Sequence, residues 1–255
     1  MLASRPVIWL WKFRLAMRKL AIFDGDPGLG KSLVTLDLCA RVTRGLAFPD
    51  GSRPAGPGNV LLFHGEDPAE DVINPRLESL QADRARVFHV YRRRHLGPEP
   101  LCFPSHIGLL ERALQQVRPL LVVIDPIMAF LDARVAAGDD ASVRRALQPL
   151  ALLADKHNCV IILARHLNKN PGQGTLYRGA GAVAFLALCR SAWLFARDPA
   201  KPARTVIAHD FGMDRPSVPR DGVPAFHPPV LVVRSCRPRR RSAEQSGGRA
   251  SRADW

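Results

Sequence analysis

The run Gly25-Asp26-Pro27-Gly28-Leu29-Gly30-Lys31-Ser32 has the spacing G-x-x-x-x-G-K-S. Glycines in that spacing let the backbone turn so that several N–H groups converge on one phosphate. The positive end of a following helix adds to the attraction. Lys31 then reaches the β- and γ-phosphates of ATP, and the Ser32 hydroxyl ligates Mg²⁺. The predicted cradle is Gly25, Asp26, Pro27, Gly28, Leu29, Gly30, Lys31 and Ser32, with Leu33 as the next residue in contact.

Three further side chains suit the same chemistry. Asp125 closes the apolar run Leu120-Leu121-Val122-Val123-Ile124, where a carboxylate fits the Mg²⁺ side of a nucleotide site. A strand ending in a plain Asp-Pro turn is the other reading. Glu66, in Phe63-His64-Gly65-Glu66-Asp67-Pro68, follows a second apolar run and is placed to polarise the attacking water. Alternatively Asp67 caps a helix there and Glu66 is a charge in its first turn. His166 lies just past the run Val160 to Ala164 and is suited to hydrogen-bond a γ-phosphate, or else is a loop histidine facing solvent.

These residues need a scaffold that delivers strand ends to a common edge. Periodicity supplies one, because short apolar runs alternate with stretches of helical spacing, the pattern of an α/β fold with a mainly parallel sheet covered on both faces. Leu20 to Phe23 runs straight into the glycine loop, and Ser32 to Val42 reads as the helix behind it. Strands are expected at Asn59 to His64, Arg86 to Val90, Leu120 to Ile124, Cys159 to Ala164, Ala192 to Ala196 and Arg204 to Ala208. Between them lie an amphipathic stretch from Ala69 to Leu80 interrupted at Pro75, a helix capped by Ser105 that ends near Val117, and a helix from Ser142 to His157 preceded by Asp139 and Asp140. After Gly212 only Val230 to Val233 looks like strand. The expected organisation is one domain over residues 1–218, with a lead-in at 1–19. A Pro/Arg-rich, flexible basic tail follows at 219–255.

Composition bounds the partners. Of 255 residues 47% are hydrophobic, enough for an ordinary core, and 37 Lys and Arg against 23 Asp and Glu leave a net charge of +14. Such an excess favours a polyanion such as nucleic acid, or is a solvated arginine-rich surface. The tail from Arg234 onward carries seven arginines against Glu244 and Asp254. Cys39, Cys102, Cys159, Cys189 and Cys236 are odd in number and scattered, which argues against a disulfide framework or a zinc knuckle. The apolar run Val7-Ile8-Trp9-Leu10-Trp11 is too short for a signal-peptide core or a membrane span. A cytoplasmic protein without a membrane partner is expected.

The cradle, Phe63-His64-Gly65-Glu66-Asp67-Pro68, Val123-Ile124-Asp125-Pro126, Arg165-His166-Leu167-Asn168-Lys169 and Tyr177-Arg178-Gly179-Ala180-Gly181 occur in that order. Together they resemble the RecA-like AAA-type P-loop ATPases related to the RepA hexameric replicative helicases, over about Val7 to Val218. The resemblance implies a RecA-like core, ATP with Mg²⁺, assembly of copies into a ring or filament, and single-stranded DNA as partner. It also implies Glu66 as catalytic base, Lys31 as the phosphate-binding lysine, and His166 as the residue coupling the γ-phosphate to DNA. Lys169 and Arg178 would face DNA or a neighbouring subunit. The expected role is a helicase-type motor or loader in replication or recombination. Two departures stand out. Met17-Arg18 replaces a glycine usual before the first core strand, and Ala208-His209-Asp210-Phe211 lacks the lysine relatives carry before Pro216-Ser217-Val218. The rival expectations are a regulatory DNA-binding subunit that does not hydrolyse nucleotide, and a small-molecule phosphotransferase whose lid would be Tyr91-Arg92-Arg93-Arg94.

Overall fold

A computed structural model describes residues 6–90, 92–94, 97–99, 101–167, 182–211 and 231–234. In chain order the strands and helices are β1 (Trp9–Trp11), β2 (Leu15–Ala16), β3 (Leu20–Gly25), α1 (Lys31–Arg44), β4 (Val60–His64), α2 (Asn74–Ser79), β5 (Val87–His89), β6 (Arg92–Arg94), β7 (Gly97–Glu99), α3 (Ile107–Val117), β8 (Leu121–Asp125), α4 (Asp140–Lys156), β9 (Val160–His166), α5 (Ala182–Leu188), β10 (Cys189–Arg197), β11 (Arg204–Phe211) and β12 (Leu231–Arg234). Among the described residues eight strands form one sheet in the order β12-β11-β10-β3-β9-β8-β4-β5. From β10 to β5 every pairing is parallel, and β11 and β12 extend the β10 edge antiparallel. The expected α/β fold with a mainly parallel sheet flanked by helices is the fold observed.

The central strands read as continuous apolar runs because both faces are covered. Side chains alternate between two cores. Ile22, Phe63, Val122, Ile124, Ile161 and Leu163 pack towards α3, α4 and α5, against Leu110, Leu114, Leu147, Leu150 and Phe185. Phe23, Leu62, Val123 and Ile162 pack towards α1 and α2, against Leu36, Cys39, Val42 and Leu77. Each of these side chains is essentially removed from water, which at about 25 cal/mol per Å² contributes on the order of 1.5–3 kcal/mol apiece.

The structure redraws some local features. Within the expected lead-in 1–19, the described residues include the β1–β2 hairpin, which contributes side chains to the core. Leu10, Trp11 and Leu15 are buried, and Trp11 stacks on Phe48 and Trp193 with ring centroids 5.0 and 5.3 Å apart. The interruption expected at Pro75 is a change of helix type. Ala69–Ile73 forms a π-helical turn and Pro75 sits in the first turn of α2, where its missing N–H costs nothing. Ser105 does not cap α3. Its hydroxyl donates to Asp132 at 2.8 Å, and His106 occupies the cap position while its Nδ1 accepts from the Cys102 N–H at 2.8 Å instead of capping the helix. Asp139 does cap α4, accepting from the Ala141 and Ser142 N–H groups. The last expected strand is β12, whose Leu231 lies opposite Ile207. The rest of the segment 219–255 lies outside the described residues. Among those described, no helix is long and apolar enough to cross a membrane.

Candidate functional site

Strands β3, β9, β8 and β4 are parallel neighbours, so their carboxyl ends open on one edge of the sheet, where open α/β folds bind ligands. The loop Asp26 to Gly30 leaves β3 and enters α1. Gly28 and Gly30 have φ of 76° and 86°, a left-handed backbone that costs a side-chain-bearing residue about 1–2 kcal/mol. Gly30 caps α1 without a side-chain bond, and the first turn holds no acidic residue. The helix therefore presents its amino end and its positive partial charge to a ligand.

Lys31 is buried, at 4% exposure. Its ammonium donates to the carbonyl oxygens of Gly25 at 2.6 Å and Asp26 at 3.0 Å, and lies 3.1 Å from Nδ1 of His166. A donor facing Nδ1 selects the neutral tautomer whose proton is on Nε2. That nitrogen points at Glu66 Oε2, 3.6 Å away, close enough for charge attraction but too long for a hydrogen bond. Burial pulls the Lys31 ammonium below its usual pKa, opposed by Asp125, Asp24, Asp26 and Glu66.

Asp125 ends β8, with His64 as its register partner on β4. Burial pushes its carboxyl above the usual range, opposed by a hydrogen bond from the Ser32 hydroxyl and by the Lys31 charge. Gly65 carries the chain from β4 to Glu66 and donates its N–H to the Asp125 carbonyl at 3.0 Å. A Cβ at Gly65 would come within 2.7 Å of Ala129 Cβ, so this close passage needs glycine. Asp67 does not cap a helix. It accepts from Arg76 at 2.8 Å, while the Glu66 side chain is 62% exposed and faces His166. Ser32, His64, Glu66, Asp67 and Asp125 share one cleft.

Lys31 and Ser32 from α1, Glu66 from the turn after β4, Asp125 from β8 and His166 from β9 thus come to one place. Lys169 and Arg178 lie outside the described residues. Of the run Tyr91 to Arg94, only the backbone of Arg92–Arg94 is described, as the strand β6 paired with β7. Two features of the site edge escaped the sequence reading. One is a chain of rings, with His64 Nδ1 on the Asp67 carbonyl at 3.0 Å and Nε2 on His89 Nδ1 at 2.9 Å. The other is a buried ion pair, Asp24 with Arg165, one residue upstream of Gly25 and His166. Its signal was present as opposite charges closing two apolar strands.

Mg²⁺ is the cation such a cradle implies, and the donor set fits it. A hydroxyl and a carboxylate held together at Ser32 and Asp125 suit a hard ion that takes one or two protein ligands and the substrate's phosphates. Among the described residues no cluster of three or more His, Cys, Asp or Glu forms a self-sufficient metal cage.

Comparison with known proteins agrees with this geometry. Residues 3–172 match a family described as the AAA domain. The chain is 24% identical over 159 residues to the "DNA repair protein RadA" of Streptococcus pneumoniae (strain ATCC BAA-255 / R6), covering 62% of this chain and 31% of that protein. It is 25% identical over 159 residues to the proteins of the same name from Streptococcus pyogenes serotypes M6 and M1, covering 62% of this chain and 29% of each. The chain spans about a third of the length of the curated relatives it matches.

Proposed function

The chain belongs to the AAA domain family, and from that premise we propose that it is an ATPase that acts on single-stranded DNA. The observation that carries the nucleotide reading is the buried Lys31 ammonium at the mouth of an uncapped helix, beside the Ser32–Asp125 pair and Glu66. Lys31 and the loop N–H groups bind the phosphates, and the Gly25 and Asp26 carbonyls hold the ammonium in place before substrate arrives. Mg²⁺ held by Ser32 and Asp125 would neutralise charge developing on the phosphate oxygens. Water attacks the γ-phosphorus, the bond to the ADP oxygen breaks, and Glu66 takes the proton that the water loses. His166, with Nδ1 towards Lys31 and Nε2 towards Glu66, orients both.

The DNA reading is supported by the charge of +14 and by the DNA repair role that the names of the RadA relatives give those proteins. A helicase-type motor or loader, working as a ring or filament in replication or recombination, is the form of that activity we favour. One observation favours a second reading, in which nucleotide orders the chain but is not hydrolysed. Ala208 on β11, opposite Leu194, stands where the resembled family carries a lysine. Turnover of ATP with Mg²⁺, measured with and without single-stranded DNA, separates the two. Stimulation by DNA is expected; tight binding with no turnover would decide for the second reading.

A further inference from the structure

The Asp24–Arg165 pair is among the most deeply buried charge in the described fold. Asp24 is 6% exposed and Arg165 is 1% exposed. The guanidinium is bidentate, with Nε on Oδ1 at 2.8 Å and Nη2 on Oδ2 at 2.7 Å. Its central carbon lies 4.4 Å from the ring centre of Phe185 on α5. Asp24 and Arg165 are register partners across β3 and β9, and the next rung is Gly25 with His166. Those two residues hold the Lys31 ammonium, through the Gly25 carbonyl at 2.6 Å and His166 Nδ1 at 3.1 Å.

A pair this deep is a poor device for stability. Desolvation offsets most of its attraction, and an apolar pair of similar volume is often as stable or more so. Its geometry does something apolar contacts do not. Two parallel hydrogen bonds of fixed direction allow one register and one rotation of the strand ends. A slip of β9 by one residue would leave both charges buried without partners.

We propose that Asp24 and Arg165, backed by Phe185, are positioning residues for the nucleotide site. They lock the ends of β3 and β9 so that Gly25 and His166 hold Lys31 at the cradle. Neither touches the phosphates; they act through the residue that follows each of them. The inference rests on the ATPase reading for its kinetic consequence, but the geometry it asserts exists without turnover.

The test uses the full chain with the double change Asp24→Leu/Arg165→Met, which removes both charges of the pair together, beside Arg165→Lys. Folding is checked by thermal melting. Two signals are then read. One is the ¹⁵N shifts of the His166 ring nitrogens, assigned by their loss in His166→Gln. The other is ATP turnover against nucleotide affinity. The expected result is a melting temperature close to the parent's, with His166 signals moved away from the parent pattern. Turnover should drop roughly 10- to 100-fold while affinity changes little, as misplacement of catalytic groups by about 1 Å does. Arg165→Lys keeps the charge but not the fork, and should fall between the two. A folded double variant with parental His166 signals overturns the proposal, whatever its turnover. A parent protein that hydrolyses no ATP removes the ATPase reading alone, because the ring signals still decide the positioning role. Should the double variant not fold, Arg165→Lys carries the same test, and parental ring signals there overturn the proposal.

Discussion

At the scale of single residues the site is a matter of which oxygen or nitrogen faces which. Glu66 and Asp67 are adjacent carboxylates, and the sequence pointed to Glu66 as the base, with a helix cap at Asp67 and Glu66 as a first-turn charge as the other reading. The fold separates them, since Asp67 is tied to Arg76 while Glu66 faces His166 across the cleft. Glu66→Gln keeps the shape but accepts a proton poorly, so nucleotide affinity should persist while turnover falls about 10²-fold or more. Asp67→Asn should cost little, because its ion pair is about 40% exposed at each partner. Steady-state kinetics on the two variants check this, and the reverse ranking would move the base by one residue. Arg18 is a second residue-scale case. It has φ of 67°, donates its N–H to the Cys159 carbonyl and places Nε on Asn158 Oδ1 at 2.9 Å. The glycine that the resembled family uses there is therefore explained by backbone conformation. Arg18→Gly and Arg18→Ala lose the same side-chain bond, but only glycine relieves the left-handed strain. Urea unfolding should find the glycine variant more stable than the alanine variant by about 1 kcal/mol.

At the scale of elements, the contact of β4 with β5 carries a titration. His64 on β4 and His89 on β5 share one ring-to-ring hydrogen bond at 2.9 Å, which holds a single proton between them. Burial first, then the charge of His64 and that of Arg84, depress the His89 pKa to about 4, against a pull upward from Glu70. The unfolded chain binds that proton near pH 6.5, whereas the folded chain resists it until about pH 4. Stability from this group is thus fully present above pH 6.5 and is lost as pH falls towards 4. At about 1.4 kcal/mol per pKa unit the loss is at most roughly 3.5 kcal/mol, and solvent screening of this part-exposed ring reduces it. Urea midpoints at pH 7 and pH 4.5 should fall less in His89→Gln than in the parent; equal falls would show that the pair does not titrate this way. The strand ends next to the site would loosen in the same window, since His64 also holds the Asp67 carbonyl at 3.0 Å.

At the scale of the whole molecule, the sheet gathers the site at one edge while the charge of +14 belongs to the chain as a whole. Contacts between such a surface and a phosphate backbone are independent of sequence and release counterions. Binding of a single-stranded oligonucleotide should weaken with salt, each phosphate contact adding roughly 0.7 to the slope of log affinity against log salt. Removing residues 235–255, which hold Arg237, Arg239, Arg240, Arg241, Arg249 and Arg252, should flatten that slope and leave turnover without DNA unchanged. Identical slopes for the two proteins, read by fluorescence anisotropy, would show those arginines to be a solvated extension.

The sequence by itself carried the phosphate cradle, the strand-helix alternation and the acids at strand ends, because each rests on neighbours in the chain. A glycine loop followed by a helix, or an apolar run closed by Asp125, is a local pattern with a local cause. Long-range facts depended on tertiary structure. The strand order put β9 between β3 and β8, and so brought His166 to Lys31 across 135 positions of sequence. It also made Asp24 and Arg165 partners over a separation of 141. Whether a charged residue at the end of an apolar strand meets solvent, substrate or an opposite charge is decided by which strand lies beside it. No spacing within either segment encodes that neighbour.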